Sequence, residues 1–71
     1  MTDTNLLKSK IVLNGHDDFV NYLANILGLS RKTASEKLNG ISKFNQLEIK
    51  KITNELNLSS DEISEIFIGG D

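Results

Sequence analysis

The stretch Phe19-Val-Asn-Tyr-Leu-Ala24-Asn-Ile-Leu-Gly28-Leu-Ser30-Arg-Lys-Thr-Ala34-Ser-Glu-Lys-Leu38-Asn-Gly40 decides the reading of this 71-residue chain. It has the pattern of a helix-turn-helix. The first helix of such a motif needs a small residue where the second crosses it, and a turn residue that tolerates positive φ. The second helix needs an N-cap and an outer face polar enough to lie in a DNA groove. Ala24 supplies the small contact, Gly28 the turn and Ser30 the cap. Arg31, Lys32, Thr33, Ser35 and Glu36 make the outer face polar.

Outward from this segment, short polar clusters punctuate the chain at Asn14-Gly15, Asn39-Gly40-Ile41-Ser42 and Asn57-Leu58-Ser59. Between them apolar residues recur at helical spacing: Phe19, Leu23, Ile26 and Leu27; Ile49, Ile52 and Leu56; Ile63, Ile66 and Phe67. Asn45 with Glu48, and Ser59 with Glu62, stand three residues apart, the spacing of a capping box. Asp17 and Asp18 suit the start of the second helix, where carboxylates cap and meet the dipole. These signals predict five helices at roughly 6–14, 17–27, 30–39, 45–57 and 60–68. The expected fold is a single all-α domain over residues 1–71, a compact five-helix bundle. Its predicted core is Phe19, Leu23, Ala24, Leu27, Leu38, Phe44, Leu47, Ile52, Leu56, Ile63 and Phe67, with Ala34 and Ile41 packing beside Leu38. Gly69 and Gly70 are expected to stop the last helix.

A chain of this size buries only roughly 60% of its unfolded surface, which leaves little room for a catalytic pocket. It has no cysteine, so disulfides and thiolate metal sites are not available. The longest purely apolar runs are short, as in Ile11-Val12-Leu13, too short for a membrane span or a signal-peptide core. A soluble protein of the bacterial cytoplasm is the expectation. The single histidine, His16, sits beside Asp17 and Asp18 and reads as a turn or helix-entry residue. One imidazole and two adjacent carboxylates lack the ligand count of a metal site, no nucleophile is paired with a base, and no glycine-rich phosphate loop is present. No enzymatic activity, cofactor or metal is expected.

The net charge of −2 conceals a strong asymmetry. Residues 31–51 hold Arg31, Lys32, Lys37, Lys43, Lys50 and Lys51 against Glu36 and Glu48, a net +4. Residues 52–71 hold Glu55, Asp61, Glu62, Glu65 and Asp71 with no base, a net −5. A polyanion is therefore drawn to one side only. In a DNA reader, Arg31, Lys32, Thr33, Ser35 and Glu36 come within reach of base edges, while Asn39, Lys43 and Asn45 hold phosphates, Asn45 through a helix N-terminus.

The order of elements, the Leu-Gly-Leu-Ser segment at 27–30 and the Leu-Asn-Gly ending at 38–40 resemble the phage repressor and Cro class of DNA-binding domains, the XRE family. Residues 45–59 look like that family's fourth helix and residues 61–68 like its fifth, so the resemblance covers nearly the whole chain. The chain also resembles the short phage proteins encoded opposite a repressor in lysis–lysogeny switches, which include Cro-like repressors and modulators of repression. This resemblance implies a transcription regulator whose partners are the phage repressor, operator DNA, or both.

Two departures bear on which. Where the family commonly has a phosphate-binding Gln, four residues before the small Ala, this chain has Val20. Lys37 stands where an apolar residue is usual. Both weaken autonomous DNA binding and favour a protein contact centred on Val20 and Tyr22, with Arg31 and Lys32 as its rim. Tyr22 is equally read as a ring covering the core. At the C-terminal end, Ile66, Phe67 and Ile68 either fold back on the core or form a self-association patch.

Overall fold

A computed structural model of the chain describes residues 2–67. Each helix begins at a side chain that accepts a hydrogen bond from an otherwise unpaired amide. Asp3 caps α1 (Thr4–Leu13), Asp18 caps α2 (Phe19–Leu27), and Ser30 caps α3 (Arg31–Leu38). Asn45 heads α4 (Gln46–Leu56) and Ser59 heads α5 (Ser60–Ile66), each in a complete capping box with Glu48 and Glu62 respectively. The expected all-α fold is present, with no strand among the described residues; one isolated bridge joins Thr2 to Phe67.

The helix starts that differ most from expectation are those of α1 and α2. The first helix starts at Thr4 because Asp3 accepts from the Leu6 amide. The second starts at Phe19, with Asp18 alone as its cap and Asp17 outside it. Its C-terminal turn needs a left-handed residue, which Gly28 provides at φ 68°. Asn57 closes α4 in the same conformation at φ 54°, which Asn tolerates better than most side-chain-bearing residues. The predicted stop at Gly69 and Gly70 lies outside the described residues.

The core takes residues from every helix: Leu7 and Ile11, Leu23 and Ala24, Ala34 and Leu38, Ile52 and Leu56, Ile66, with Phe44 and Phe67 from the segments beyond α3 and α5. Phe44 meets Phe67 edge to face, ring centroids 6.0 Å apart, a favourable aromatic geometry. The Asp3 amide donates to the Ile66 carbonyl at 2.6 Å and so holds the start of α1 against the end of α5. Helix α2 packs on α1, α3 and α4, placing it at the centre of the bundle.

Seven residues depart from the expected core. Leu47 is 76% exposed: it lies about 140° around the helix from Ile52, outside the stripe that meets the core. Ile41, expected beside Leu38, is 73% exposed in the turn after α3. Leu7 and Ile11 are fully buried although neither was expected in the core. Their i, i+4 pair is masked in the sequence by Leu6, Val12 and Leu13, which make α1 apolar on several sides. Phe19, Leu27 and Ile63 are only half-buried against the core.

Candidate functional site

The three residues 28–30 join α2 to α3, and the buried alanines Ala24 and Ala34 give the two helices room to approach. With Ala34 and Leu38 turned inward, α3 directs Arg31 and Lys32 to solvent and leaves Thr33, Ser35 and Glu36 half-buried. Several of its polar groups are committed locally. The Ser30 hydroxyl accepts from the Thr33 amide at 3.1 Å and donates to the Thr33 hydroxyl at 3.0 Å. The Asn39 side-chain amide donates to the Ser35 hydroxyl at 3.3 Å.

Arg31 is not a free cation at the head of this helix. Its guanidinium donates to the Asp18 carboxylate at 3.2 Å, tying the start of α3 to the start of α2. Asp18 already accepts from the Asn21 amide, and that bond, helped by Arg31, holds its carboxyl below the usual carboxylate range.

Lys37 is held more firmly. Its ammonium donates to the Lys43 carbonyl at 2.7 Å, pairs with Glu48 at 3.0 Å, and lies 5.8 Å from the centre of the Phe44 ring. Both partners of the ion pair keep only 12% of their side chains exposed. The lysine stem thus covers apolar surface where an apolar residue was expected, while its charged tip finishes on the first turn of α4.

Of the remaining sequence-predicted residues, Lys43 and Asn45 are exposed beside α3, but the Asn45 side-chain oxygen is engaged with the Glu48 amide at 2.8 Å. Val20 is half-buried and packed on the core. Tyr22, also half-buried, stacks on His16 with ring centroids 4.0 Å apart, so its ring faces the connection between α1 and α2. Burial raises the Tyr22 hydroxyl's pKa, and the Glu55 charge raises it further. Ile66 and Phe67 are both buried, so neither offers an exposed contact; Ile68 lies outside the described residues.

The site that results is a polar α3 face with Lys32 and Lys43 projecting, an acidic Asp17–Asp18 edge on one side and the capped start of α4 on the other. Sequence reasoning missed the roles of Asp18 and Lys37 as fasteners. Neither the i to i+13 separation of Asp18 and Arg31 nor the i to i+11 separation of Lys37 and Glu48 belongs to a local motif. Among the described residues, no group of three or more His, Cys, Asp or Glu side chains is arranged to hold a metal ion, and no helix is long and apolar enough to cross a membrane.

No curated protein and no solved structure shows a significant match to the chain. A family model does: residues 14–66, which take in α2 through α5 and this whole face, match the BetR domain. The match spans most of the sequence, and the chain belongs to the BetR domain family, as a small phage-associated helical domain of regulatory type.

Proposed function

We propose that this chain modulates a phage lysis–lysogeny switch through a helix-turn-helix face built on α2 and α3, by associating with the phage repressor, with operator DNA, or with both. The observation that carries the choice between them is the pairing of Arg31 with Asp18. A base-reading arginine must be free to present its fork of donors to a guanine edge, and phosphate binding requires uncompensated positive charge. Here the leading arginine is shared with a carboxylate, Lys37 is neutralised by Glu48, and Asp17 adds further negative charge. A face of alternating sign suits a protein partner, whose own charges can complement it group by group.

In this reading Arg31 and Lys32 anchor the contact, Thr33, Ser35, Glu36 and Asn39 supply its polar rim, Val20 supports α2 from the core side, and Tyr22 extends the contact towards the α1–α2 connection. A basic repressor surface that otherwise meets DNA is attracted to Asp17, Asp18 and Glu36. Occupying that surface changes which operators the repressor can hold.

The second reading, an autonomous Cro-like repressor, is favoured by the exposed Lys32 and Lys43 beside the Asn45-headed start of α4. Calorimetric titration of the full chain into the full repressor, and separately into switch-region duplex DNA, tells them apart. Modulation predicts repressor binding that an Arg31→Ala, Lys32→Ala double variant weakens by about tenfold or more. Binding of DNA alone makes the chain Cro-like. Binding of both forms equally to either target removes the α2–α3 face from the site.

A further inference from the structure

Helix α4 has two differently built faces. Ile52 and Leu56 meet the core. Leu47, Lys50, Lys51 and Asn54, at i, i+3, i+4 and i+7, form a second stripe that borders a groove floored by Leu27 from the end of α2. Leu47 stands 76% exposed at the head of this stripe, a large apolar side chain with no structural use in the bundle. Lys50 and Lys51 are exposed beside it and form no ion pair with another described residue. Glu48, the one carboxylate lining the groove, is already engaged with Lys37 and the Asn45 amide.

We propose that this groove docks an acidic amphipathic helix of a partner protein, with an apolar residue of that helix seated between Leu27 and Leu47 and its carboxylates on Lys50 and Lys51. A second copy of this chain does not fit. The acidic α5 has Ile66 buried in its own core and Ile63 packed against it, with Phe67 buried just beyond. Of the other exposed apolar residues, Val12 and Leu13 lie with Lys8, which would set lysine against lysine, and Ile41 stands in a turn two residues from Lys43, not on an acidic helix. Duplex DNA leaves the exposed Leu47 without a role, because a phosphate track has no use for an apolar centre. An acidic amphipathic helix answers both the apolar centre and the two exposed lysines, as helix-in-groove recognition requires. The inference stands independently of the α2–α3 reading.

The test uses the isotopically labelled full chain and a synthetic helical peptide about four turns long, with leucines at i, i+3 and i+4 spacing and glutamates elsewhere. Its companions are a peptide with glutamine for glutamate and a switch-region DNA duplex. Backbone shifts on adding the acidic peptide should centre on residues 27, 47, 50, 51 and 54. Leu47→Ser and the Lys50→Glu, Lys51→Glu double variant should each weaken binding by about tenfold or more, and the glutamine peptide should bind correspondingly less. Because Leu47 is exposed, Leu47→Ser keeps the fold, which its circular dichroism verifies. Absence of saturable binding at millimolar peptide, shifts centred elsewhere, or equal binding by Leu47→Ser overturns the proposal. So does loss of DNA binding in the lysine variant with peptide binding unchanged, which makes the stripe a phosphate track.

Discussion

Two junctions in this molecule are fastened by the same device, a lysine from one helix bound to the capping-box glutamate of another. At the α3–α4 junction Lys37 reaches Glu48; at the α1–α5 junction Lys10 reaches Glu62 at 2.5 Å. The boxes are equivalent, but the settings differ. The Lys37–Glu48 pair is nearly enclosed, with 12% of each side chain exposed, and it borders the candidate interface. The Lys10–Glu62 pair is wetter, at 26% and 31%, and joins the two ends of the chain across 52 residues. A helix start thus serves as a docking point for a distant cation: the carboxylate that satisfies the local amide keeps capacity for a second donor. The bundle uses one such point to fix α3 against α4 and another to close α1 onto α5.

In this division of labour the ion pairs position helices while the apolar core supplies the stability. Leu23→Ala tests that division with the largest expected effect. Leu23 is fully buried on the central helix, and its truncation should cost about 2–5 kcal/mol in a denaturant unfolding experiment. If Lys37→Ala costs more than Leu23→Ala, the junctions hold the fold and the assignment of roles is reversed.

Next in size is the enclosed junction itself. Lys37→Ala leaves Glu48 without its ammonium and uncovers the Phe44 ring, which should cost about 1–3 kcal/mol. Lys37→Met restores the apolar cover and should recover much of the loss, since an apolar replacement of similar length still packs on Phe44. Equal losses in the two variants would show that the charge, not the stem, matters at this position.

The wetter junction is best read through pH. The Lys10 ammonium, and then the Ser59 amide, lower the Glu62 pKa from 4.5 to about 2. The folded value lies below the unfolded one, so the contribution is fully present above pH 4.5 and is lost as pH falls from there towards about 2. Thermal melts across that range should show a fall in the wild type that Lys10→Met reduces. Glu62→Gln should flatten it at this site and start from a lower melting temperature at neutral pH. Parallel pH profiles for the wild type and Lys10→Met would dissolve the pair in solution.

These junctions also mark where the sequence was readable. Both capping boxes, the Ser30 cap and the Gly28 turn were legible because a cap and its partner lie within four residues and leave a fixed spacing. The cations that complete the boxes were not, because Lys10 and Lys37 reach them only after the chain has folded back. The same limit explains the core. Leu23, Ile52 and Leu56 sit on clean apolar stripes, whereas Leu7 and Ile11 lie on a helix with apolar residues on several sides. Leu47 has the composition of a core residue and the angular position of a surface one. At the candidate interface, α3's outward residues were legible from the period of the helix, but the Asp18 tie that occupies Arg31 was not.

That tie gives the last and subtlest comparison, because the Arg31–Asp18 pair is exposed and no capping-box glutamate takes part in it. Asp18→Asn keeps an efficient N-cap on α2, since Asn caps as well as Asp, while removing the charge that holds Arg31. The melting temperature should therefore barely move. Binding should move more: a released Arg31 can neutralise one further phosphate, steepening the log–log salt dependence of any DNA binding by about 0.9. Repressor binding, which by the proposed reading draws on the acidic edge, should weaken in the same variant. The two shifts in opposite directions are the signature expected of a face whose charges were arranged for protein. If Asp18→Asn strengthens repressor and DNA binding alike, Asp18 is only a brake on a basic surface, and the α2–α3 face is better described as a DNA reader held in check by its own cap.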